Sequence, residues 1–265
     1  MRENTLRKIW ARGEAVVNGW LSIPSSFSAE VMAQQGFDWL CVDMQHGIID
    51  YQVAVTMLQA ISTTDTVPIV RVPWNDPWQI MKALDAGAYG VIVPLINTAA
   101  DAEAAVAACL YPPAGNRSVG GSVHALNFQA TANDYYARAN EEILVVLQCE
   151  HIRAVQDADA IFSVPGIDAI FVGPNDLAAS MRSPDGRPPS GDATREAMQH
   201  ILQTCRKHHV APGLHCTSAE EVLARMEEGW QFIAIGSELK MLLDGAASIV
   251  RRLGADKGKG DMAKY

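Results

Sequence analysis

Chemically competent side chains in this sequence collect at the ends of short apolar runs. They are Asp43, Gln45 and His46 after one run, Arg71 within the next, then Gln148 with Glu150, Asn175 with Asp176, and finally His215. Carboxylates bind hard divalent cations, arginine pairs with anions, and histidine transfers protons near neutral pH. Their shared position at the ends of runs predicts one site rather than scattered surface groups.

The stretch VVLQCE (145–150) begins as a buried strand and ends in polar residues. Alternate side chains of a strand share a face, so Gln148 and Glu150 should point the same way with Cys149 opposed to them. Asp176 follows the next apolar run, and its carboxylate can converge with that of Glu150.

Two converging carboxylates repel each other, and one of them is driven to protonate unless a cation lies between them. Oxygen-only ligands favour Mg²⁺ or Mn²⁺, and two protein ligands leave coordination positions open for substrate. We therefore predict a divalent metal site at Glu150 and Asp176. The alternative is a pair of ion-paired carboxylates at a solvated rim.

Arg71 and His46 complete the candidate site. Arg71 could hold a substrate carboxylate or an enolate oxygen, and the alternative is a buried salt bridge to Asp43. His46 could act as a general base beside Asp43, or it could be purely structural.

A Schiff-base mechanism needs a lysine at a strand end. The lysines are Lys8, Lys82, Lys207, Lys240, Lys257, Lys259 and Lys264. All of them fall in predicted helices or in the C-terminal tail, which disfavours the imine route. Metal-assisted formation of an enolate from a 2-oxo acid fits the remaining groups.

The elements that must position these groups are eight short β-rich runs. They lie at residues 16–23, 39–44, 67–72, 90–96, 143–150, 168–173, 211–216 and 231–237. Helix-period segments separate them, so we predict an α/β fold, a (β/α)₈ TIM barrel of one domain spanning 1–265. A doubly wound sheet is the alternative, and the lack of G-x-G-x-x-G after the first run weakens its dinucleotide-binding form.

Two irregular stretches and a tail interrupt the pattern. Residues 111–136 are predicted to form a long loop on the same rim as the strand-to-helix loops, and residues 183–192 form a second insertion. Residues 254–265 are predicted to be a mobile, polar tail.

Composition narrows the function classes. The net charge of −9 argues against nucleic acid or an anionic membrane as a partner. There is no run of about 20 apolar residues, and we expect no secretory signal because no long apolar stretch follows MRENTLRKIW. Five cysteines without CxxC spacing predict free thiols in the reducing cytoplasm.

At these residues the chain resembles the HpcH/HpaI aldolase family, the metal-dependent class II pyruvate aldolases such as 4-hydroxy-2-oxoheptanedioate and 2-dehydro-3-deoxyglucarate aldolases. The resemblance covers roughly residues 5–253. Its motifs are QQGFDWLCVDMQHG, PIVRVPWNDP, LDAGAYGVIVPLI, YPPAGNRSVG, VLQCE and IFVGPNDLAASM. It implies a barrel whose C-terminal helix is exchanged between subunits of a homohexamer.

The resemblance also implies residue roles. Glu150 and Asp176 would bind Mg²⁺, Mn²⁺ or Co²⁺, His46 would be the base, and Arg71 would stabilise the enolate. The implied substrate contacts are Arg71, Gln148, Gly173, Pro174, Asn175 and Asp176.

The family pairs its base with an aspartate at the position of Asp85, which spacing does not explain. Either the predicted helix boundaries are wrong, or a neighbouring subunit contributes Asp85, or Asp43 orients His46 instead. The chain departs from the family at Gln45, and GSVHALNFQA after Gly120 does not resemble the usual basic-aromatic version of that loop. The aldehyde preference is therefore open.

We expect an aldolase that reversibly cleaves a 4-hydroxy-2-oxo acid to pyruvate and an aldehyde through a pyruvate enolate. The alternatives are a citramalyl- or malyl-CoA-type lyase, a 2-oxo acid decarboxylase, and a non-catalytic barrel that binds a 2-oxo acid.

Overall fold

Eight parallel strands close into a barrel in the computed structural model, which describes residues 1–254. The strands are β1 Val16–Leu21, β2 Trp39–Asp43, β3 Val67–Arg71, β4 Gly90–Val93, β5 Leu144–Gln148, β6 Ala169–Val172, β7 Ala211–Cys216 and β8 Phe232–Ser237. Each strand pairs with the next, and β8 pairs with β1. The predicted (β/α)₈ barrel is confirmed, and the doubly wound alternative is wrong.

Helices connect the strands around the outside. They are α1 Leu6–Ala11, α2 Ser26–Ala33, α3 Tyr51–Ile61, α4 Pro77–Asp85, α5 Ala99–Cys109, α6 Val123–Asn127, α7 Ala132–Glu142, α8 Ile152–Gln156, α9 Ala158–Phe162, α10 Pro174–Ser180, α11 Gly191–His208, α12 Ala219–Glu228 and α13 Glu238–Arg252. Polar side chains cap the N-termini of many of these helices by accepting a main-chain N–H. Asp50 caps α3, Thr98 caps α5 and Ser237 caps α13.

The strands are apolar because both of their faces are covered. Every residue of β2 and of β5 is buried between the barrel interior and the helices. Aromatic rings fill the interior: Trp39 stacks on Phe232 with ring centroids 3.9 Å apart, and Trp20 stacks on Phe171 at 5.5 Å. These rings form the floor beneath the ends of the strands.

The amino-terminal segment closes the opposite, N-terminal rim. Arg7 donates two hydrogen bonds to Asp168, from Nε at 2.7 Å and from Nη2 at 3.0 Å, and Asp168 also accepts the N–H of Val145. Asn4 is buried and donates to the carbonyl oxygens of Tyr89 and Glu142. The residues before β1 thus tie α1 to the strand starts.

The placement that we predicted for residues 111–136 is wrong. This segment follows helix α5 rather than strand β4, so it lies at the N-terminal rim, and it contains α6 and the start of α7. Phe128 stacks on Tyr89, which immediately precedes β4, with ring centroids 3.7 Å apart. In one chain the segment therefore does not overhang the carboxyl ends of the strands.

Helix α13 presents apolar side chains to solvent in the single chain. Met241, Leu242, Leu243, Ile249 and Val250 are all exposed. The exchange of this helix between subunits stays a prediction, and so does the single domain over 1–265. The predicted tail extends past the described residues, which end at 254. Within the described part of the chain, no helix is long and apolar enough to cross a membrane.

The stacked core predicts a large cost for truncating Trp39. Trp39→Ala should lower the free energy of unfolding by about 3–5 kcal/mol, because it leaves a cavity beside Phe232 that the barrel cannot collapse to fill. Urea denaturation followed by circular dichroism measures this. The matched control is Trp78→Ala, since Trp78 is 62 % exposed. If Trp39→Ala lowered the free energy of unfolding no more than the control does, the packing of Trp39 on Phe232 would be contradicted.

Candidate active site

A pocket of about 540 Å³ opens at the carboxyl ends of the strands. Its lining includes nine of the predicted site residues: Asp43, His46, Arg71, Gln148, Glu150, Gly173, Pro174, Asn175 and Asp176. The strand ends that we grouped by sequence position are therefore brought together in space. Asp85 does not line the pocket.

Glu150 is buried just beyond β5, and both of its carboxylate oxygens are held. The N–H of Leu95 donates to Oε1 at 2.8 Å, and Nε2 of Gln148 donates to Oε2 at 2.9 Å. The predicted common face of Gln148 and Glu150 is confirmed. Cys149 is buried on the other side, near Cys205 of α11.

Gly173 leaves the space that the Glu150 carboxylate occupies. A Cβ at position 173 would lie 2.4 Å from Oε2 of Glu150, which is much closer than a real contact allows. Glycine is therefore required where β6 turns into α10, because the backbone passes directly over the carboxylate.

The environment of Glu150 disfavours a lone negative charge. Burial raises the pKa of Glu150 to about 7; the Leu95 N–H and the charge of Arg71 oppose this, and the nearby Asp176 carboxylate adds to it. Oε1 of Gln148 is buried with no hydrogen-bond partner among the described residues. A hard cation between Glu150 and Asp176 would relieve the repulsion, so these donors fit such an ion.

No group of three or more His, Cys, Asp or Glu side chains in residues 1–254 is arranged to hold a metal ion. The carboxylates of this part of the chain that line the pocket are Asp43, Glu150 and Asp176, and Asp43 is paired with Arg71, so Glu150 and Asp176 are the two left to bind a cation there. A cation held in this way would keep open positions for substrate oxygens.

Arg71 forms a buried ion pair with Asp43, which is the alternative that the sequence left open for this arginine. Nε donates to Oδ1 at 2.8 Å and Nη2 donates to Oδ2 at 2.6 Å, and the guanidinium lies over the ring of Trp20. This pairing engages two of the three guanidinium nitrogens. It fixes the group at the pocket wall, and Nη1 remains for a ligand.

The Arg71 pair determines the charge of Asp43. Burial raises the pKa of Asp43, but the hydrogen bonds and the positive charge of Arg71 outweigh burial, so the pKa lies below its ordinary value. Asp43 therefore stays ionised, and its Oδ1 also accepts the main-chain N–H of Gln45 and of His46.

His46 stands exposed at the pocket edge after this turn. The next residue must be glycine, because a Cβ at Gly47 would lie 2.2 Å from the carbonyl oxygen of Asp43. Asp43 holds the main chain of His46, and no described residue forms a hydrogen bond with the imidazole. The ring is thus available for proton exchange with a ligand or with solvent.

Asp85 lies at the end of α4, where it accepts a 2.8 Å hydrogen bond from Nη2 of Arg117. Nδ1 of His124 is 4.0 Å away. The structure therefore does not bring Asp85 to His46 within one chain. Because α4 does end at Asp85, an error in the helix boundary is excluded. Two explanations are left: a neighbouring subunit contributes Asp85, or Asp43 orients His46 instead.

Sequence reasoning missed several residues around the site. Trp20 and Phe171 line the pocket, and the inward-outward alternation of their strands could have identified them. His215, already noted at the end of its strand, lines it too, and burial lowers the pKa of its imidazole. Leu95 has a left-handed backbone with φ of 57°, for which the sequence contains no signal.

Comparison with known proteins connects this geometry to one group of enzymes. Residues 19–245 match the family model for HpcH/HpaI aldolase/citrate lyase. The 4-hydroxy-2-oxo-heptane-1,7-dioate aldolase of Salmonella arizonae is 37% identical over 257 residues, which cover 96% of each protein.

Solved structures give the same relationship. An HpcH/HpaI aldolase/citrate lyase family protein from Burkholderia cenocepacia superimposes with a TM-score of 0.84 at 32% identity, covering 94% of this chain and 99% of that one. The citrate synthase SbnG has a TM-score of 0.82 at 27% identity, covering 96% of this chain and all of that one.

The raised pKa of Glu150 predicts how the metal-free protein responds to pH. The folded-state pKa lies above the ordinary value of 4.5, so protonation of Glu150 favours the folded state. This contribution to stability is complete below pH 4.5 and is lost as pH rises through about 7. At pH 8 metal-free Glu150→Gln should be more stable than wild type by about 3 kcal/mol, and the difference should vanish near pH 4.5.

Chemical denaturation across pH in EDTA tests this prediction. Glu103→Gln is the matched control because Glu103 is exposed on α5 and should show no such trend. A Glu150→Gln difference that is constant across pH would contradict the burial of an uncompensated carboxylate.

Proposed function

Because the chain belongs to the HpcH/HpaI aldolase/citrate lyase family and is a carbon–carbon lyase, we propose that it reversibly cleaves a 4-hydroxy-2-oxo acid to pyruvate and an aldehyde. The observation that carries the proposal is the convergence of Glu150, Asp176, Gln148 and Arg71 in one pocket, with His46 at its edge. Such a pocket can hold a 2-oxo acid and move a proton at its methyl group.

Glu150 and Asp176 are proposed to hold a divalent cation, Mg²⁺, Mn²⁺ or Co²⁺. When bound, the cation supplies Lewis-acid polarisation of the substrate's oxygens. The amide oxygen of Gln148 has no hydrogen-bond partner within residues 1–254 and its N–H₂ group lies beside Glu150, so Gln148 can contact the bound 2-oxo acid.

Arg71 is proposed to stabilise the negative charge that forms at the keto oxygen. In cleavage, His46 takes the proton of the 4-hydroxyl group, C4 becomes the aldehyde carbon, and the electron pair of the C3–C4 bond moves onto the 2-oxo group, giving an enolate. A guanidinium already fixed by Asp43 and Trp20 meets that charge without reorganising, which is the source of electrostatic catalysis.

His46 is proposed to move the protons. In the synthetic direction its imidazole takes a proton from the methyl group of pyruvate, and in cleavage it returns one to the enolate carbon. Its exposed ring can exchange that proton with water. Asn175, in the first turn of α10, has a main-chain N–H with no intrahelical acceptor, and we propose that it contacts the carboxylate of pyruvate.

A CoA-thioester lyase or a decarboxylase would form the same kind of enolate. These alternatives stay open because the family includes citrate lyases. A CoA ligand carries phosphates that require basic residues at the pocket mouth. Among the described residues that line the pocket, Arg71 is the only lysine or arginine, and it is paired with Asp43. A short oxo-acid substrate therefore fits this pocket better.

Assembly is a further part of this proposal. The exposed apolar side chains of α13 would be buried if the helix packed against a second copy of the chain. A homo-oligomer, a hexamer by family resemblance, would also allow Asp85 of a neighbouring copy to approach His46.

Pyruvate enolisation is directly testable without knowing the aldehyde. In D₂O, wild-type protein with Mn²⁺ or Mg²⁺ should exchange the methyl protons of pyruvate, and EDTA should abolish the exchange. His46→Ala should slow the exchange by about 10²–10⁴-fold because the base is lost. Proton NMR of the pyruvate methyl signal measures this.

The matched control is His200→Ala, a histidine exposed on α11 outside the pocket, which should exchange at the wild-type rate. Full exchange in excess EDTA would contradict metal dependence. Absence of exchange with every metal would remove the pyruvate enolate from the proposal.

Substrate class separates the aldolase from its CoA-dependent alternative. With Mn²⁺, we expect cleavage of a 4-hydroxy-2-oxo acid, detected as pyruvate by coupling to lactate dehydrogenase. We expect no cleavage of malyl-CoA or citramalyl-CoA, because the described residues of the lining include no lysine or arginine besides the paired Arg71 to bind the phosphates. Turnover of the thioesters at a comparable kcat/KM would reverse the assignment.

A further inference from the structure

The pocket has two chemically different sides. Glu150 and Asp176 follow β5 and β6, and they belong to the polar side. The other side also contains Ser22, His46 and Ser237, but four of its residues are apolar: Ile23, Pro24, Ile48 and Leu239, here called the apolar wall.

The apolar wall comes from the other half of the barrel. Its residues follow β1, β2 and β8, which are neighbours in the closed sheet and lie across the barrel from β5. If the 2-oxo acid occupies the polar side, the apolar wall is the part of the lining left for the carbons of the aldehyde, and its side chains would then select the aldehyde.

The apolar wall is held in place by a buried carboxylate. Glu238, the first residue of α13, accepts the N–H of Ser22 and of Ile23, each at 2.7 Å. This contact fixes the loop after β1 to the start of the helix that carries Leu239. It also places an acceptor, and no donor, behind the wall.

None of the four side chains of the apolar wall can pair with a negative charge, and His46 beside them is the residue proposed to move the protons. Within the described residues of the lining, Arg71 is the one lysine or arginine, and its Nε and Nη2 are engaged by Asp43. His215 is held neutral near pH 7, since burial and the charge of Arg71 lower the pKa of its imidazole. A second carboxylate on the substrate would lose water without gaining an ion pair.

The segment GSVHALNFQA (121–130), which departs from the family pattern, would not supply a positive charge to the pocket of a second copy of the chain. Between Arg117 and Arg138 there is no lysine or arginine. Arg117 itself is buried and bonded to Asp85, and burial lowers the pKa of the imidazole of His124.

We propose that this site takes an uncharged, apolar aldehyde in preference to one that carries a carboxylate. The proposal rests on the proposed aldolase function and names its aldehyde class. It separates this chain from the 37% identical relative, whose name describes a substrate with a carboxylate at each end. Each CH₂ group that leaves water at the wall should strengthen binding about fourfold.

The test uses two aldehydes of matched shape. 4-Methylpentanal and 4-oxobutanoate differ in that an isopropyl group replaces the carboxylate. With saturating pyruvate and Mn²⁺, kcat/KM for aldol addition should favour 4-methylpentanal by about tenfold or more. An equal or greater kcat/KM for 4-oxobutanoate would overturn the proposal.

A binding measurement gives the same comparison without turnover. 7-Methyl-2-oxooctanoate and 2-oxoheptanedioate correspond to the two addition products without the 4-hydroxyl group, so they cannot be cleaved. Isothermal titration in Mg²⁺ should give the smaller Kd for 7-methyl-2-oxooctanoate. Tighter binding of the diacid would overturn the proposal independently of catalysis.

A substitution at Ile48 should change the preference. Ile48 is 84 % exposed at the pocket edge, so Ile48→Lys should leave the core intact. The added ammonium should shift the kcat/KM ratio toward 4-oxobutanoate by about two- to fivefold. Ile48→Met is the matched neutral control and should keep the wild-type ratio. No shift with Ile48→Lys would remove Ile48 from the aldehyde site.

The failures of the two proposals are distinguishable. If pyruvate exchanges its protons but the diacid analogue and 4-oxobutanoate are preferred, the aldolase function stands and the aldehyde class is wrong. If pyruvate does not exchange, the aldolase proposal fails, and the two dissociation constants still decide which tail the apolar wall accepts.

Discussion

The burial of the Glu150 carboxylate is the constraint around which this rim is organised. One oxygen accepts the N–H of Leu95 and the other accepts the amide of Gln148, and both contacts require specific backbone shapes nearby. Leu95 adopts a left-handed conformation that costs about 1–2 kcal/mol for a residue with a Cβ. Gly173 must lack a side chain altogether. The neighbourhood is built to hold one charge that it does not by itself neutralise.

Two arginine–aspartate pairs lie at opposite rims of the barrel. Arg71 pairs with Asp43 at the carboxyl ends of the strands, whereas Arg117 pairs with Asp85 at the N-terminal rim. Each guanidinium also lies over an aromatic ring, that of Trp20 or of Tyr111. Such pairs contribute little net stability, but they hold their charged groups in one position. The aspartates on both rims are therefore rigid rather than adaptable.

The barrel and most of the site could be predicted from the sequence because a polar residue inside or just after an apolar strand is costly unless it has a use. That argument identified Arg71, Gln148 and Glu150. It fails for residues 111–136, because their position between two strands does not show whether a helix precedes them, and the alanine-rich AADAEAAVAAC has no clear helical periodicity that would indicate one. Leu95 and the partner of Asp85 depend on contacts between residues distant in sequence, and no local pattern encodes them.

The two sides of the pocket differ in how much change they tolerate. On the polar side, Glu150, Gln148 and Gly173 fit against one another so closely that a single methyl group would displace the carboxylate. On the other side, Ile48 and Pro24 face solvent and can be replaced without disturbing the barrel. Such a division lets a gene diversify without losing its chemistry. Descendants of this chain could acquire new acceptor specificities through one or two surface substitutions while the carbon–carbon bond-forming half is inherited unchanged.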